Sequence, residues 1–272
     1  ATTHAAGLGW IPMSTGLYDS VSDGAGMAYA TVTLGGQTYV GGQFTEAGGV
    51  AVNAVTMWDG SAFHALGDPS TDGPNGPVWT LATDGTLIYA GGPFGVMSWD
   101  PVQQVWNDLT APAGVEANAL LWYNDGTATY LVLGGDDSGG GCRLLAYDDG
   151  ASWGAISTLS RDISPCEVAA LAQYGNQLVV AGTFDRVGAT SFSSIALYDG
   201  STNNWSQLGG VSDSGIRMSD GGGGTLAGIV YALAVDEASG TIFIGGPLSD
   251  IVNARPKGSA EVKELESLRL TA

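Results

Sequence analysis

Three observations predict an all-β fold, a five-bladed β-propeller of four-stranded antiparallel blades. The first is a recurring cassette. A strand ends in Gly-Gly or Ala-Gly, a second strand ends in an aromatic-Asp pair, and an aromatic-x-x-aliphatic strand follows. The second is its period: the pairs Gly41-Gly42, Gly91-Gly92, Gly134-Gly135, Ala181-Gly182 and Gly245-Gly246 are spaced by 50, 43, 47 and 64 residues. A repeat of roughly 40–50 residues with four short strands marks a propeller blade. The third is composition: 44 glycines in 272 residues, with no Gly-X-Y register and 44% hydrophobic residues, read as turn glycines between many short strands. The length allows one large all-β domain or two small ones, and the repeat favours a single domain over 1–272.

Blade one is expected from Met27–Thr33, Gln37–Val40, Ala54–Trp58 and Phe63–Leu66. Blade two takes Val78–Ala82, Leu87–Ala90, Val96–Trp99 and Trp106–Leu109; blade three takes Ala117–Trp122, Thr129–Leu133, Leu144–Tyr147 and Trp153–Ile156. Blade four takes Val168–Ala172, Gln177–Val180, Ile195–Tyr198 and Trp205–Leu208. Each run is short, rich in β-formers and bounded by Gly, Asp or Asn. The fifth cassette supplies Val230–Val235 and Thr241–Gly245 and then lacks its aromatic-Asp pair and later Trp. Trp10-Ile11-Pro12-Met13 has the missing outer-strand pattern, so the N-terminal segment is expected to supply the outer strand of the last blade and remove the free seam. Its third strand should lie in Ile251–Leu270, although residues 255–272 also allow a short helix.

The repeated residues have structural explanations beside functional ones. Trp10, Phe63, Trp106, Trp153 and Trp205 would pack between blades, or else stack on a ligand. Asp59, Asp100, Asp148 and Asp199 precede turns, where a carboxylate accepts backbone N–H groups; the alternative is catalysis. The glycine pairs permit close approach near the axis.

Tyr39-Val40-Gly41-Gly42-Gln43-Phe44-Thr45-Glu46-Ala47-Gly48-Gly49, followed by Val52-Asn53-Ala54-Val55-Thr56-Met57-Trp58-Asp59-Gly60, resembles kelch-type and galactose-oxidase-central-domain-like propeller repeats. The variety is that of bacterial secreted proteins and fungal cell-surface polarity proteins. Blade four repeats it as Val180-Ala181-Gly182-Thr183-Phe184-Asp185-Arg186-Val187-Gly188 and Ile195-Ala196-Leu197-Tyr198-Asp199-Gly200. The match spans nearly the whole chain and is strong in these two blades; blade two shortens the loop to Pro93-Phe94-Gly95, and blade five departs after Gly246. The resemblance implies a secreted or cell-surface interaction module, and it carries over no catalytic residue.

The formal charge is -19, from 27 acidic and 8 basic residues. Such a surface repels nucleic acid and anionic lipid. It reads as a solubility device for a salty or extracellular medium, or as an attractor of cations and basic partners. No apolar run approaches the roughly 18–20 residues that span a bilayer, so direct membrane insertion is not expected. The chain begins at Ala1 without an initiator Met, as a processed terminus or an excised part of a larger multidomain surface protein would.

Loops after the second and fourth strands of a meander share one face. That face collects Gln43–Val52, Pro93–Gly95, Asp136–Cys142, Thr183–Ser193 and Pro247–Ala254, with the long blade connections. The opposite turns, such as Asp84-Gly85 and Gly175-Asn176, are small. Ligands are expected where loop variation is concentrated on a rigid frame, near the central channel. Cys142 and Cys166 both map to this face in neighbouring blades, within disulfide reach, which would indicate an oxidising compartment. Asn204-Trp205-Ser206 is a formal glycosylation sequon of a kind common by chance.

Copper-radical and zinc chemistry need converging imidazoles, and only His4 in the tail and His64 in an outer strand are present. A Ser-His-acid triad fails for the same reason. Carboxylate chemistry survives: Glu46, Glu116, Asp136, Asp137, Glu167 and Asp185 sit on the long-loop face, and two of them could serve a glycoside hydrolase or lyase. Oxygen-rich loops could instead hold Ca²⁺, with Asp136, Asp137, Asp213 and Asp220 as candidates; no other cofactor is indicated. The leading expectation is a non-enzymatic module that binds protein or glycan. Its candidate contacts are Phe44, Phe94, Phe184 and Phe192 with Glu46, Asp136, Asp137 and Asp185. Phe44, Phe94 and Phe184 hold one equivalent blade position: exposed rings would line a sugar site, whereas buried rings would plug the gap between blade tops.

Overall fold

The computed structural model describes residues 13, 15–148, 152–161, 165–192, 194–207, 215–219, 225–227, 229–246, 250–252 and 266–269. Over these residues the chain is all-β and builds repeated antiparallel meanders. The first sheet orders Met27–Leu34, Gln37–Gln43, Val55–Trp58 and Phe63–Ala65. The second orders Thr80–Thr83, Ile88–Gly92, Gly95–Asp100 and Val105–Asp108. The third takes Val115–Asn124, Thr129–Asp137, Cys142–Tyr147 and Trp153–Ala155. Val168–Tyr174, Gln177–Gly182, Ile195–Asp199 and Asn204–Ser206 form the fourth. The fifth pairs Ala232–Asp236 with Thr241–Gly245, and that strand with Glu266–Arg269. This last strand lies inside the stretch where the sequence allowed strand or helix. Apart from Met13, the proposed N-terminal outer strand Trp10–Met13 falls outside the described residues.

Successive innermost strands touch from the first sheet to the fifth, giving a propeller-like arrangement. Apolar clusters fill the spaces between neighbouring sheets. Val55, Val78, Leu81, Ile88 and Trp99 lie between the first and second, and Val179, Ile195, Ile242 and Ile244 between the fourth and fifth. At the two ends one face of the inner strand is open: Met27 and Tyr29 are 50% and 44% exposed, and Ala232 and Ala234 are also exposed.

The cassette has a physical basis at every step. The aromatic before each turn Asp pairs across strands with the outer-strand aromatic, as Trp58–Phe63, Trp99–Trp106, Tyr147–Trp153 and Tyr198–Trp205. Trp106 Nε1 donates to the Leu66 carbonyl at 2.9 Å, and Trp153 Nε1 to the Leu109 carbonyl at 2.8 Å. These two tryptophans therefore staple the second sheet to the first and the third to the second. The turn Asp carboxylates accept local donors: Asp59 from the Ser61 and Ala62 amides, Asp100 from Val102 and Gln103, Asp148 from Ser152, and Asp199 from Ser201 and Thr202. His64 Nε2 lies 2.7 Å from Asp59 Oδ2.

The long-loop face carries strands that the sequence pattern did not show. Leu17–Asp19 pairs with Gly24–Ala25 and with Glu46–Ala47, which pairs in turn with Val50–Ala51. Leu159–Ser160 pairs with Arg186–Val187, and that strand with Thr190–Ser191. Gly215–Ser219 pairs with Thr225–Ala227 and Asp250–Val252. In all three cases the segment leading into a blade joins the loop after that blade's second strand.

Candidate functional site

The glycine pairs decide where the central side chains point. A Cβ on Gly42 would collide with the Met27 carbonyl, one on Gly135 with Glu116, and one on Gly182 with Glu167. Without that Cβ, the inner strand presses in and the register slips by one residue. Ala28 pairs with Gly42 and Ala30 with Gly41, skipping Tyr29. Asn118 and Ala169 are skipped in the same way in the third and fourth sheets. Trp79 and Tyr231 hold the corresponding places, each donating its amide to the glycine carbonyl opposite, Gly91 and Gly245, at 2.8 Å. A bulge re-aims the extra side chain, here on the innermost strands.

Four of these five equivalent residues, Trp79, Asn118, Ala169 and Tyr231, line one cleft of about 360 Å³ together with Glu167. Tyr231 is 56% exposed, and Trp79, Asn118 and Glu167 are half-buried. Asn118 Nδ2 donates to Asp136 Oδ1 at 2.9 Å and to Glu167 Oε1 at 3.1 Å, tying the third sheet to the fourth. Burial, and then the Asp136 charge, pushes the Glu167 carboxyl above the usual glutamate range. Cys142 and Cys166 form the expected disulfide, with Cα atoms 4.9 Å apart. It joins the third sheet to the residue next to Glu167 and so fixes that carboxylate's backbone. The Glu167 amide also donates to Thr183 Oγ1 at 2.8 Å.

The sequence-predicted residues are distributed differently. Phe44, Phe184 and Phe192 are 2%, 0% and 4% exposed, and Phe94 is half-buried. Phe184 and Phe192 pack with Cys142, Leu144, Leu159 and Val187. Phe44 packs with Val40, Ala47, Val52 and Phe63. Of the three rings at the equivalent blade position, Phe44 and Phe184 are buried and Phe94 is half-buried. Phe44 also reaches the floor of a separate hollow of about 270 Å³, beside Asp19, Gln43 and Asn53. There the Asp19 carboxylate is already engaged by the Val21 amide, Ser22 and Gln43.

Of the carboxylates, Glu167 lines the cleft, and Asp136 shares the Asn118 amide with it. Glu116 precedes the third-sheet bulge and pairs in register with Asp136. Glu46 lies in the first accessory sheet and Asp185 beside the Leu159–Ser160 strand. Asp137 closes its own turn, accepting from the Gly139 and Gly141 amides and pairing with Arg143. Asp136 and Asp137 therefore do not converge as a calcium cage. Among the described residues no group of three or more His, Cys, Asp or Glu could hold a metal ion. Asp213 and Asp220 lie outside the described residues. No helix among the described residues is long and apolar enough to cross a membrane.

Trp79, Asn118, Tyr231 and Tyr29 were missed by sequence reasoning, yet a signal exists. Ala28-Tyr29-Ala30, Val78-Trp79-Thr80, Ala117-Asn118-Ala119, Val168-Ala169-Ala170 and Val230-Tyr231-Ala232 align with two small or apolar flanks around one variable residue.

No family model matches the chain, and neither does any curated protein. Its fold is similar to solved structures from B. thetaiotaomicron. One is the extracellular domain of a putative one-component system: TM-score 0.56, 15% identity, covering 82% of this chain and 26% of that one. Another is the extracellular domain of a putative hybrid two-component system: TM-score 0.58, 14% identity, covering 96% of this chain and 29% of that one. The chain thus spans less than a third of the length of either. At these identities the likeness establishes a shared fold.

Proposed function

We propose that this chain is a non-enzymatic extracellular recognition domain, built as a five-bladed kelch-like propeller and part of a larger surface protein. It takes protein or glycan ligands at the axial mouth of its long-loop face. The observation that carries this reading is the set of equivalent inner-strand residues Trp79, Asn118, Ala169 and Tyr231 around one open cleft. The disulfide supports an oxidising location, and the similar structures come from extracellular domains. Closure would bring the open faces at Met27 and Ala232 together. Cysteines placed at Thr31 and Ala234 should then crosslink within one chain.

A second reading, a glycoside hydrolase or lyase, is favoured by the raised Glu167 carboxyl beside Asp136. Such a pair must flank a gap that admits the scissile bond and a water. Here the Asn118 amide donates to both carboxylates and occupies that gap. Recognition is therefore the better account. The test is a glycan array and a surface-protein pull-down, each with and without calcium, using the intact chain and its Trp79→Ala and Glu167→Gln variants. Recognition predicts binding that Trp79→Ala abolishes and no turnover of bound glycan. Catalysis predicts product release that Glu167→Gln stops while binding persists.

A further inference from the structure

The chemistry of the axial cleft is specific enough to name the ligand group it accepts. Two aromatic residues, Trp79 and Tyr231, line it, and an aromatic face attracts a cation through its quadrupole. Glu167 lines the same cleft, and Asp136 joins it through the shared Asn118 amide. His64 pairs with Asp59 and Arg143 with Asp137, and neither Asp136 nor Glu167 is paired with a cation among the described residues. Two carboxylates held by one neutral donor in a half-buried site leave negative charge uncompensated. The wider molecule, at a formal -19, raises the local concentration of cations around it. An anionic ligand meets repulsion from every side. A neutral one gains from the rings and leaves both carboxylates unmatched.

We infer that the axial cleft binds an organic cation, an alkylammonium or guanidinium group seated against Trp79 and Tyr231 and paired with Glu167 and Asp136. This deepens the recognition reading and rests on it. The group could arrive as a lysine or arginine side chain of a protein partner, or as a free organic amine. Bound there, it supplies the opposite charge that the desolvated Glu167 carboxylate lacks.

The test follows the Trp79 indole N–H by NMR on the intact, disulfide-bonded chain, with Trp79→Phe providing the assignment. The probes are n-butylammonium chloride, Nα-acetyl-lysine amide and Nα-acetyl-arginine amide, with n-butanol and a panel of neutral sugars alongside. Saturable shifts are expected with the cations and none with n-butanol. Affinity should fall roughly tenfold in Glu167→Gln, the scale of one partly screened charge contact, and fall again as salt is raised. Gln can still accept from Asn118, so a folded variant is expected; Asp136→Asn is the second variant should it fail. Tighter binding of the amino-acid amides than of butylammonium would point to a side chain of a protein partner, and the reverse order to a free amine. Shifts with a neutral sugar and none with cations would overturn the inference and leave the recognition reading standing. No shift with any probe, and no array or pull-down partner, would overturn both.

Discussion

Two rings of equivalent positions recur from sheet to sheet, and they have opposite fates. The residues two places beyond the glycine pairs, Phe44, Phe94 and Phe184, turn into the sheet tops, where Phe44 and Phe184 are almost wholly buried. The equivalent inner-strand residues, among them Tyr29, Trp79 and Tyr231, stay partly open. Both rings repeat with the same period and both are rich in aromatics. Periodicity therefore identifies equivalence without identifying exposure. Exposure is set by the second glycine of each pair, which admits a carbonyl and forces the bulge.

The largest effect should come from the buried ring. Phe184→Ala removes a fully buried aromatic and should cost about 3–5 kcal/mol of unfolding free energy, read from urea denaturation. Trp79→Ala should cost far less and abolish ligand binding. Equal losses in the two variants would erase the distinction between the rings.

Next comes the crosslink that anchors the cleft. The Cys142–Cys166 bridge closes a segment of 24 residues in sequence separation. On the chain-entropy account its loss should cost about 3–4 kcal/mol. Reduction with dithiothreitol should lower the thermal midpoint and weaken cleft binding together, because Cys166 adjoins Glu167.

A smaller effect is expected with acid, on the face opposite the cleft. Asp125 is 2% exposed. Burial pushes its carboxyl up, but the Thr127 hydroxyl, the Ala128 and Thr127 amides and the Tyr130 hydroxyl outweigh that and hold it below the usual aspartate range. A depressed carboxyl contributes stability that is fully present above its unfolded value and lost as pH falls through the lower folded value. Denaturation midpoints should therefore drop below about pH 4, and Asp125→Ala should drop less. A midpoint difference between the two proteins that does not change with pH would contradict this.

The smallest stability effect belongs to Ala169, the one cleft-lining residue without a large or polar side chain. Ala169→Tyr should change stability by no more than about 0.5 kcal/mol, as for substitutions into open space, while altering ligand affinity. That asymmetry would sharpen the contrast between the rings.

Much of the frame was legible in the sequence because it rests on local chemistry. The aromatic-Asp turns, the strand runs and the Cys142–Cys166 pairing follow from short-range patterns read in the repeat's register. The accessory strands were not legible, because pairs such as Glu46–Ala47 and Arg186–Val187 are too short to show alternation. The cleft residues were hidden for a related reason. A bulge breaks the period of two just where a cleft side chain sits, so Asn118 reads as an ordinary member of its strand. Asp136 and Glu167 were named as candidates, but only the fold brings them to one amide.

Hydroxyl-radical footprinting of the native chain, read residue by residue by mass spectrometry, tests the two-ring account most directly. The account predicts ready oxidation of Tyr29, Trp79 and Tyr231, with Phe44, Phe184 and Phe192 protected. Oxidised phenylalanines and protected bulge residues would contradict it.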